Sequence, residues 1–474
     1  MVTTILAVLA GVETVALVEQ AFVPERPTGV FPFQAITSTI FLVLAPFSPL
    51  LIILILYSWT LRVLLRVVSR YDVHHFLAER FRFLSHISQS LPFSWDGKDI
   101  PLLGRPLAVL AVGMVSASVL AFMPYRPDIN PTGSPAGIDT SEYIQWVNQM
   151  LQRPVPDALG YAFGQVSNGS RPLSLVLPYV ISAVFRVQGD VSVKFYPLFL
   201  APLLVVSSFL FVFLGLGDKR VAGLVSLLTA FSFQLTVGMW AGYYANWLAL
   251  AESYLLLGIL VRFSNSKSRQ SLVGLVLLSL ALLFTHPWTW DLVILLAFVF
   301  IAEQSFRVHD FKLMKMVLLV VGINLATDSI RSFALGAYGG GSAGLDVATS
   351  SVGSSHFLAL WPDAVALFVQ NYDGIMADAL ILGLALMVIW RLGAVSQGFS
   401  RLLVLWVILA SLPFPFLGSL LETRIVYLLP IPVLASAALL GIQRMRWGRT
   451  AKVLILLTIL LYGANHALVS MMKV

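Results

Sequence analysis

The chain contains no cysteine, which excludes a disulfide framework, a thiolate nucleophile and any Cys-ligated metal. Charge is almost as scarce. Only 11% of the 474 residues are Asp, Glu, Lys or Arg, where a soluble domain carries about 25%. The apolar sequence does not alternate with a period of two, and this excludes a membrane β-barrel. No Gly-Lys-Ser/Thr follows the glycine-rich run Gly339–Gly344, so that run is not a nucleotide P-loop. A basic start is missing as well. Met1–Ala21 carries Glu13 and Glu19 and reads as a retained first span, with Glu13 as a helix-packing polar contact. No internal repeat is visible.

What remains is hydrophobic: 58% of the residues, with a mean hydropathy of +0.88. The fold class that follows is an all-α polytopic membrane protein. Apolar segments run over Val2–Phe22, Ile36–Leu61, Leu107–Tyr125, Leu173–Phe185, Phe195–Leu214, Val221–Gly238, Trp247–Val261, Leu272–Phe284, Asp291–Ile301, Leu313–Ala326, Ile375–Trp390, Leu402–Leu417, Ile425–Ile442 and Val453–Val469. Short basic clusters lie between them, among them Arg62/Arg66/Arg70, Lys219/Arg220, Arg262/Lys267/Arg269, Arg307/Lys312/Lys315 and Arg444/Arg446/Arg449/Lys452. They carry most of the net charge of +7 as a positive-inside signature, so the charge is not read as nucleic-acid binding.

All the basic clusters reach the cytoplasm only if one apolar segment between Arg105 and Lys219 fails to cross. Leu173–Phe185 is the natural exception: it is short, opens at Pro172, contains Pro178 and is followed by Arg186 and Asp190. It is expected to dip into the membrane or to form one arm of a hairpin. That leaves about thirteen spans in a multi-pass protein of the cell membrane. Residues 1–105 read as a two-span extension with a basic cytoplasmic segment, and 106–474 as the transmembrane core. Arg62, Arg66 and Arg70 line one helical face toward anionic lipid headgroups, while the adjacent His74 and His75 splay apart and make poor joint metal ligands.

This parity puts the unusual polar stretches on one face, the extracytoplasmic one. The outer loop 124–172 follows directly on an apolar helix and gathers Asp128, Asp139, Glu142, Tyr143 and Arg171 among prolines and glycines. Irregular polar backbone cannot stay in hydrocarbon with its N–H and C=O groups unpaired. The loop therefore lies at the water interface or in a cavity, where long structured loops carry function. The same face holds Gly238–Trp247 with Tyr243 and Asn246, Thr285–Asp291 with His286, and Glu422-Thr-Arg424. It also holds the outer loop 327–375, a linker or lid flanked by Arg331, Asp346, His356 and Asp363.

An apolar helix ending outside, the Asp-Thr-Ser-Glu-Tyr element at Asp139–Tyr143, an amphipathic interfacial helix and an Arg-Pro-Leu-Ser-Leu entry at Arg171–Leu175 together resemble the integral-membrane glycosyltransferases of the GT-C class. Glu422-Thr-Arg424-Ile-Val-Tyr427 is similar to the late arginine element of that class. The resemblance covers Leu107–Val474 in architecture; the Trp-Trp-Asp-Tyr-Gly signature of oligosaccharyltransferases is absent. It implies a GT-C-like helix bundle whose large first outer loop carries interfacial helices. It implies transfer of a sugar from a polyprenyl-(pyro)phosphate-linked donor to a glycan, lipid or protein acceptor. Asp139 is then a base or a metal-binding carboxylate, with Glu142 as its catalytic neighbour, and Arg424 is the clamp on the donor phosphate. A carboxylate can take the proton of a weak hydroxyl nucleophile, and a guanidinium stays charged and binds phosphate oxygens in pairs. Glu422, Arg171, Tyr143, His286, Tyr243 and Asn246 are the further substrate-contact candidates. Asp139, Glu142 and His286 are the groups that could hold a divalent metal such as Mg or Mn.

Each residue has a plainer role open to it. Asp139 can N-cap the following helix, with Glu142 completing a capping-box-like pattern. Asp128 fits a turn residue, and Arg171 a snorkelling anchor. Glu422 and Arg424 can form a local ion pair. His286, Tyr243, Tyr244 and Trp247 can belong to an interfacial aromatic belt. For the whole protein the alternative is a transporter or flippase of lipid-linked or small polar substrates. The lack of an internal repeat and the gathering of charge on one face favour the enzyme. A non-catalytic scaffold subunit has no use for acids and an arginine clustered on one face.

Overall fold

In hydrocarbon a backbone N–H must find its acceptor within its own segment or a closed barrel, and a long apolar run does so as a helix. The computed structural model describes residues 2–22, 40, 44, 47–54, 95–97, 104–309, 311–336, 379–392, 398–412, 419–445 and 447–473. Among the described residues every regular element is a helix. In chain order these are α1 (Val2–Phe22), α2 (Pro106–Phe122), α3 (Thr140–Leu151), α4 (Val155–Gly160), α5 (Pro172–Phe185), α6 (Gly189–Phe195), α7 (Pro197–Leu216), α8 (Lys219–Ala230), α9 (Phe233–Ala241), α10 (Tyr244–Ser266), α11 (Arg269–Thr285), α12 (Pro287–Val308), α13 (Lys312–Leu335), α14 (Ala379–Leu392), α15 (Gly398–Ser411), α16 (Ser419–Leu428), α17 (Ile431–Gln443) and α18 (Arg449–Met471). Six stretches among the described residues are long and apolar enough to cross a membrane: Pro106–Tyr125, Gly189–Leu216, Lys219–Ala241, Tyr244–Ser266, Lys312–Leu335 and Arg449–Met471.

The side-chain pattern suits lipid. A helix in water buries its apolar stripe, but α13 turns Asn324, Asp328 and Ser332, spaced by four, into the protein and exposes Leu318, Leu319, Ile323, Ile330 and Phe333. α2 exposes Leu107, Val112, Val115 and Val119 and buries Gly113, Ala117 and Ala121. Small residues let helices approach closely. A Cβ added at Gly113 would lie 3.2 Å from the Ser226 carbonyl oxygen of α8.

α7, α8 and α2 pack together, with α10 on the other side of α7. α1 lies along α18, where Asn465 Nδ2 donates to Glu13 Oε2 at 2.9 Å, the helix-packing contact read for Glu13. α5 and α6 pack on each other and both on α3, and Ser182 donates to Ser192 across them at 2.6 Å. Leu173–Phe185 is thus one arm of a hairpin. Both of its ends meet α3: Arg171 faces Tyr143, and a Cβ at Gly189 would run into the Asn148 side chain.

Three sequence boundaries need correction. The outer loop expected from residue 327 is helical in its first part, because α13 continues through Leu335. The loss of hydropathy there is the inward polar stripe of a helix, not a loop. Val221–Gly238 divides into α8 and α9 at Phe231 and Ser232, and Ile425–Ile442 divides into α16 and α17 at Pro430, which has no N–H to give. Glu422 and Arg424 accordingly sit on a helix. The expectations for Arg62, Arg66, Arg70, His74, His75, Asp346, His356, Asp363 and Arg446 fall outside the described residues.

α10 is 23 residues long. Its first residue, Tyr244, packs on Tyr143 of α3 at 5.1 Å between ring centroids. Its last turn, with Ser264 and Asn265, lines a cavity of about 250 Å³ shared with Gln304 and Arg401. There Arg401 pairs with Glu303 at 2.8 Å, and Trp95 Nε1 donates to Ser400 Oγ at 2.8 Å.

Candidate functional site

At the other end of α10 three segments distant in sequence converge on Asp139. The backbone does the positioning. The last carbonyls of a helix have no partner inside it, and those of Trp240 and Ala241 at the end of α9 accept from Ile138 N at 2.9 Å and Asp139 N at 3.2 Å. Two glycines make that approach feasible. Gly137 has φ +96° and a Cβ there would lie 2.5 Å from the Met239 carbonyl oxygen; Gly242 has φ +68° and a Cβ there would lie 2.9 Å from Asp139 N. Thr140 then locks onto the buried Tyr244 hydroxyl at 2.8 Å.

Asp139 stands at the cap position of α3 with φ −85° and ψ −2°, and its side chain makes no capping hydrogen bond. The capping role is therefore corrected. A capping side chain needs an extended backbone to reach back to the helix N–H groups, and Asp139 is already helical. Its carboxylate is left for other work. Glu142 is exposed in the first turn. Burial pushes the Asp139 carboxyl above its ordinary value and Glu142 adds to the rise, while Arg171 and Arg424 oppose it. Both guanidinium groups therefore lie within electrostatic reach of one carboxylate. Asp128, by contrast, is taken up by Arg126 at 2.6 Å, as a turn residue would be.

Arg424 is set by the other end of α9. Gln234 Nε2 donates to the Leu429 carbonyl at 3.0 Å, and the Tyr427 hydroxyl donates to the Gln234 carbonyl at 2.9 Å. One turn before Tyr427, the Arg424 guanidinium lies 6.0 Å from the centre of the Tyr243 ring, which meets Tyr427 edge-on. Its Nε is buried and has no partner. Arg171, heading α5, also has a buried Nε without a partner and faces the Tyr143 phenol, whose oxygen accepts from Ala245 N at 3.3 Å.

His286 is buried and caps α12: its Nδ1 accepts from Thr289 N at 3.3 Å, which fixes Nδ1 as the unprotonated nitrogen. Burial, then Arg424 and Arg171, hold its pKa well below the ordinary value, so the ring stays neutral. That role differs from the aromatic belt expected of it. Asn246 is buried with an unpartnered Oδ1. Glu422 belongs to α16, and its side chain is not among those described. Among the described residues no three His, Asp or Glu side chains are grouped to hold a metal ion, so the Asp139, Glu142 and His286 set does not form such a site.

Sequence reasoning missed Glu252, and it set Arg331 at a loop where the structure has a helix. Glu252, in the middle of α10, is buried and takes a hydrogen bond from Thr285; an acid inside an apolar span was the signal for it. Arg331 ties α13 to the outer loop, donating to the carbonyls of Phe163 at 2.8 Å and Gly169 at 2.6 Å and pairing with Asp328 at 2.6 Å.

Taken together, two fixed cations with unspent N–H groups beside one uncapped carboxylate can hold an oxyanion next to a proton acceptor. No family model matches this sequence, and no curated protein matches it.

Proposed function

We propose that this protein is a membrane glycosyltransferase of the GT-C type, with about thirteen spans, that acts on the extracytoplasmic face of the cell membrane. It moves a sugar from a polyprenyl-(pyro)phosphate-linked donor to a glycan, lipid or protein acceptor. One observation carries the reading: Asp139 and Arg171 from the two ends of α3–α5 and Arg424 from the far α16 lie within electrostatic reach of one another, and each arginine keeps a buried Nε–H that the protein does not use.

In this reaction the acceptor oxygen bonds to the anomeric carbon as the bond from that carbon to the phosphate oxygen breaks. The acceptor proton passes to Asp139, and the electron pair leaves on the phosphate. Arg171 and Arg424 bind that phosphate in the ground state and more tightly as its charge grows. Tyr243 backs Arg424 and Tyr143 backs Arg171, so neither guanidinium needs to reorganise.

The test is to supply the purified protein in liposomes with polyprenyl-phosphate sugars labelled in the sugar. Label joined to an acceptor is the expected result. Movement of the donor across the bilayer with no sugar joined to anything overturns the reading in favour of a transporter or flippase. Single cysteines at positions 139 and 267 test the sidedness, since impermeant reagents should label them from opposite faces.

A further inference from the structure

The last turn of α10, far from Asp139, borders a cavity that the transfer reaction does not use. Ser264 lies twenty residues past Tyr244 on α10, about 30 Å farther along the helix axis. That is the thickness of a bilayer's hydrocarbon core, about 30 Å. The cavity therefore sits at headgroup level in the leaflet opposite the Asp139 face. It has a volume of about 250 Å³ and is partly open. Liquid water takes about 30 Å³ per molecule, so a phosphate and its ester link fit while acyl chains stay outside. Ser264, Asn265, Gln304 and Arg401 give it polar walls, and Val261 and Phe300 apolar ones.

The arginine is held in place without being consumed. Glu303 Oε1 accepts from Arg401 Nη1 at 2.8 Å, and Glu303 Oε2 accepts from Gln304 Nε2 at 3.0 Å. Arg401 Nε is buried and has no partner among the described residues. Arg401 also stands in the first turn of α15, whose leading N–H groups have no acceptor inside the helix. Lys219, Arg262, Lys267, Arg269 and Arg307 are exposed within a few residues of the cavity walls. The charges of Asp218 and Glu303 oppose an anion there, and the basic residues outweigh them.

We propose that this cavity receives the phosphate of an anionic phospholipid from that leaflet. The Arg401 Nε–H and the Asn265 amide donate to the phosphate oxygens, Glu303 positions the guanidinium, and the outlying basic residues favour a lipid of net negative charge. The lipid would brace the ends of α7, α10, α12 and α15, all of which reach the cavity. The site is separate from the proposed transfer reaction and stands or falls without it.

The probes are phosphatidylglycerol, diacylglycerol with the same chains and inorganic phosphate, added to the full chain in detergent. Native mass spectrometry and melting temperature are the readouts. Wild type is expected to hold one phosphatidylglycerol about tenfold more tightly than diacylglycerol and to melt higher with it. Arg401→Gln and Asn265→Asp should each remove most of that preference and leave diacylglycerol binding unchanged. Arg307→Gln, at an exposed cation outside the cavity walls, should keep it. The Asn265 side chain is exposed and makes no hydrogen bond to the described residues, so Asn265→Asp keeps the fold even if Arg401→Gln does not. Equal binding of the two lipids in wild type, or a preference that persists in Asn265→Asp and in any folded Arg401→Gln, overturns the site. A loss in Arg307→Gln as large as in Asn265→Asp overturns it in favour of diffuse surface charge. Stabilisation by excess inorganic phosphate equal to that by phosphatidylglycerol overturns the lipid as the source of the phosphate.

Discussion

Arg331 and Arg424 are built to different plans. Arg331 spends its terminal nitrogens on the protein: Nη1 on two loop carbonyls, Nη2 on Asp328, three residues before it on the same helix. Its side chain is 8% exposed and that of Asp328 is 0% exposed. Arg424, which like Arg331 lies over an aromatic ring, makes no side-chain hydrogen bond to the described residues and senses its acid from another segment. Burial alone does not separate a structural arginine from a binding one. The difference lies in where the donors go: a guanidinium consumed by its own chain staples, and one whose neighbours leave donors open can receive a ligand.

The sharpest way to break that contrast is at the carboxylate the open arginines face. Asp139→Asn should lower sugar transfer by about 10²–10⁴-fold, the usual loss for a general base, with thermal stability nearly unchanged because the side chain caps nothing. Initial rates and melting curves on one preparation check both halves; intact transfer would make the carboxylate structural.

Next in size is Arg331→Ala. It removes the ion pair of the buried Asp328 and the two loop contacts, and should cost about 3–5 kcal/mol, read as a lower melting temperature in the detergent used for wild type. Arg424→Ala should leave that temperature close to wild type but weaken donor binding roughly 10- to 100-fold, the worth of charge-assisted hydrogen bonds. If the two arginine variants lost equal stability, the distinction between them would vanish.

The smallest effect is in pH. The Asp139 carboxyl is raised above its ordinary 3.8, so the folded protein holds that proton more tightly than the unfolded chain. Its contribution to stability is therefore full below 3.8 and fades as pH rises through the folded value. Transfer needs the ionised form and should rise over the same window. In Asp139→Asn the pH–rate profile should lose that inflection.

Much of this was legible in the sequence, and for physical reasons. Scarce charge and unbroken apolar runs dictate a helical membrane protein, and among the described residues every regular element is a helix, with six stretches long and apolar enough to cross a membrane. The polar loop after α2 announced Asp139, and Arg424 stood out as an arginine opening a span. The failures came where a side chain's role depends on backbone geometry. Asp139 looks like a helix cap by residue type but has helical dihedrals. His286 looked like a belt residue, yet it caps α12. The stretch after residue 327 read as loop because a stripe of Asn324, Asp328 and Ser332 lowers hydropathy without ending a helix. Glu252 was passed over inside a hydrophobic window that averaged it away.

The short helix α9 holds Asp139 at its C-terminal end and the Arg424 helix at its N-terminal end. Its nine residues act as a ruler about 13 Å long. Adding or removing one residue would shift its ends by about 1.5 Å and turn them about 100° relative to each other. An alanine inserted there would leave hydropathy and the span count untouched, yet it would carry the carboxylate away from the guanidinium. The length of this one segment is thus as much a part of the site as the charged residues it separates.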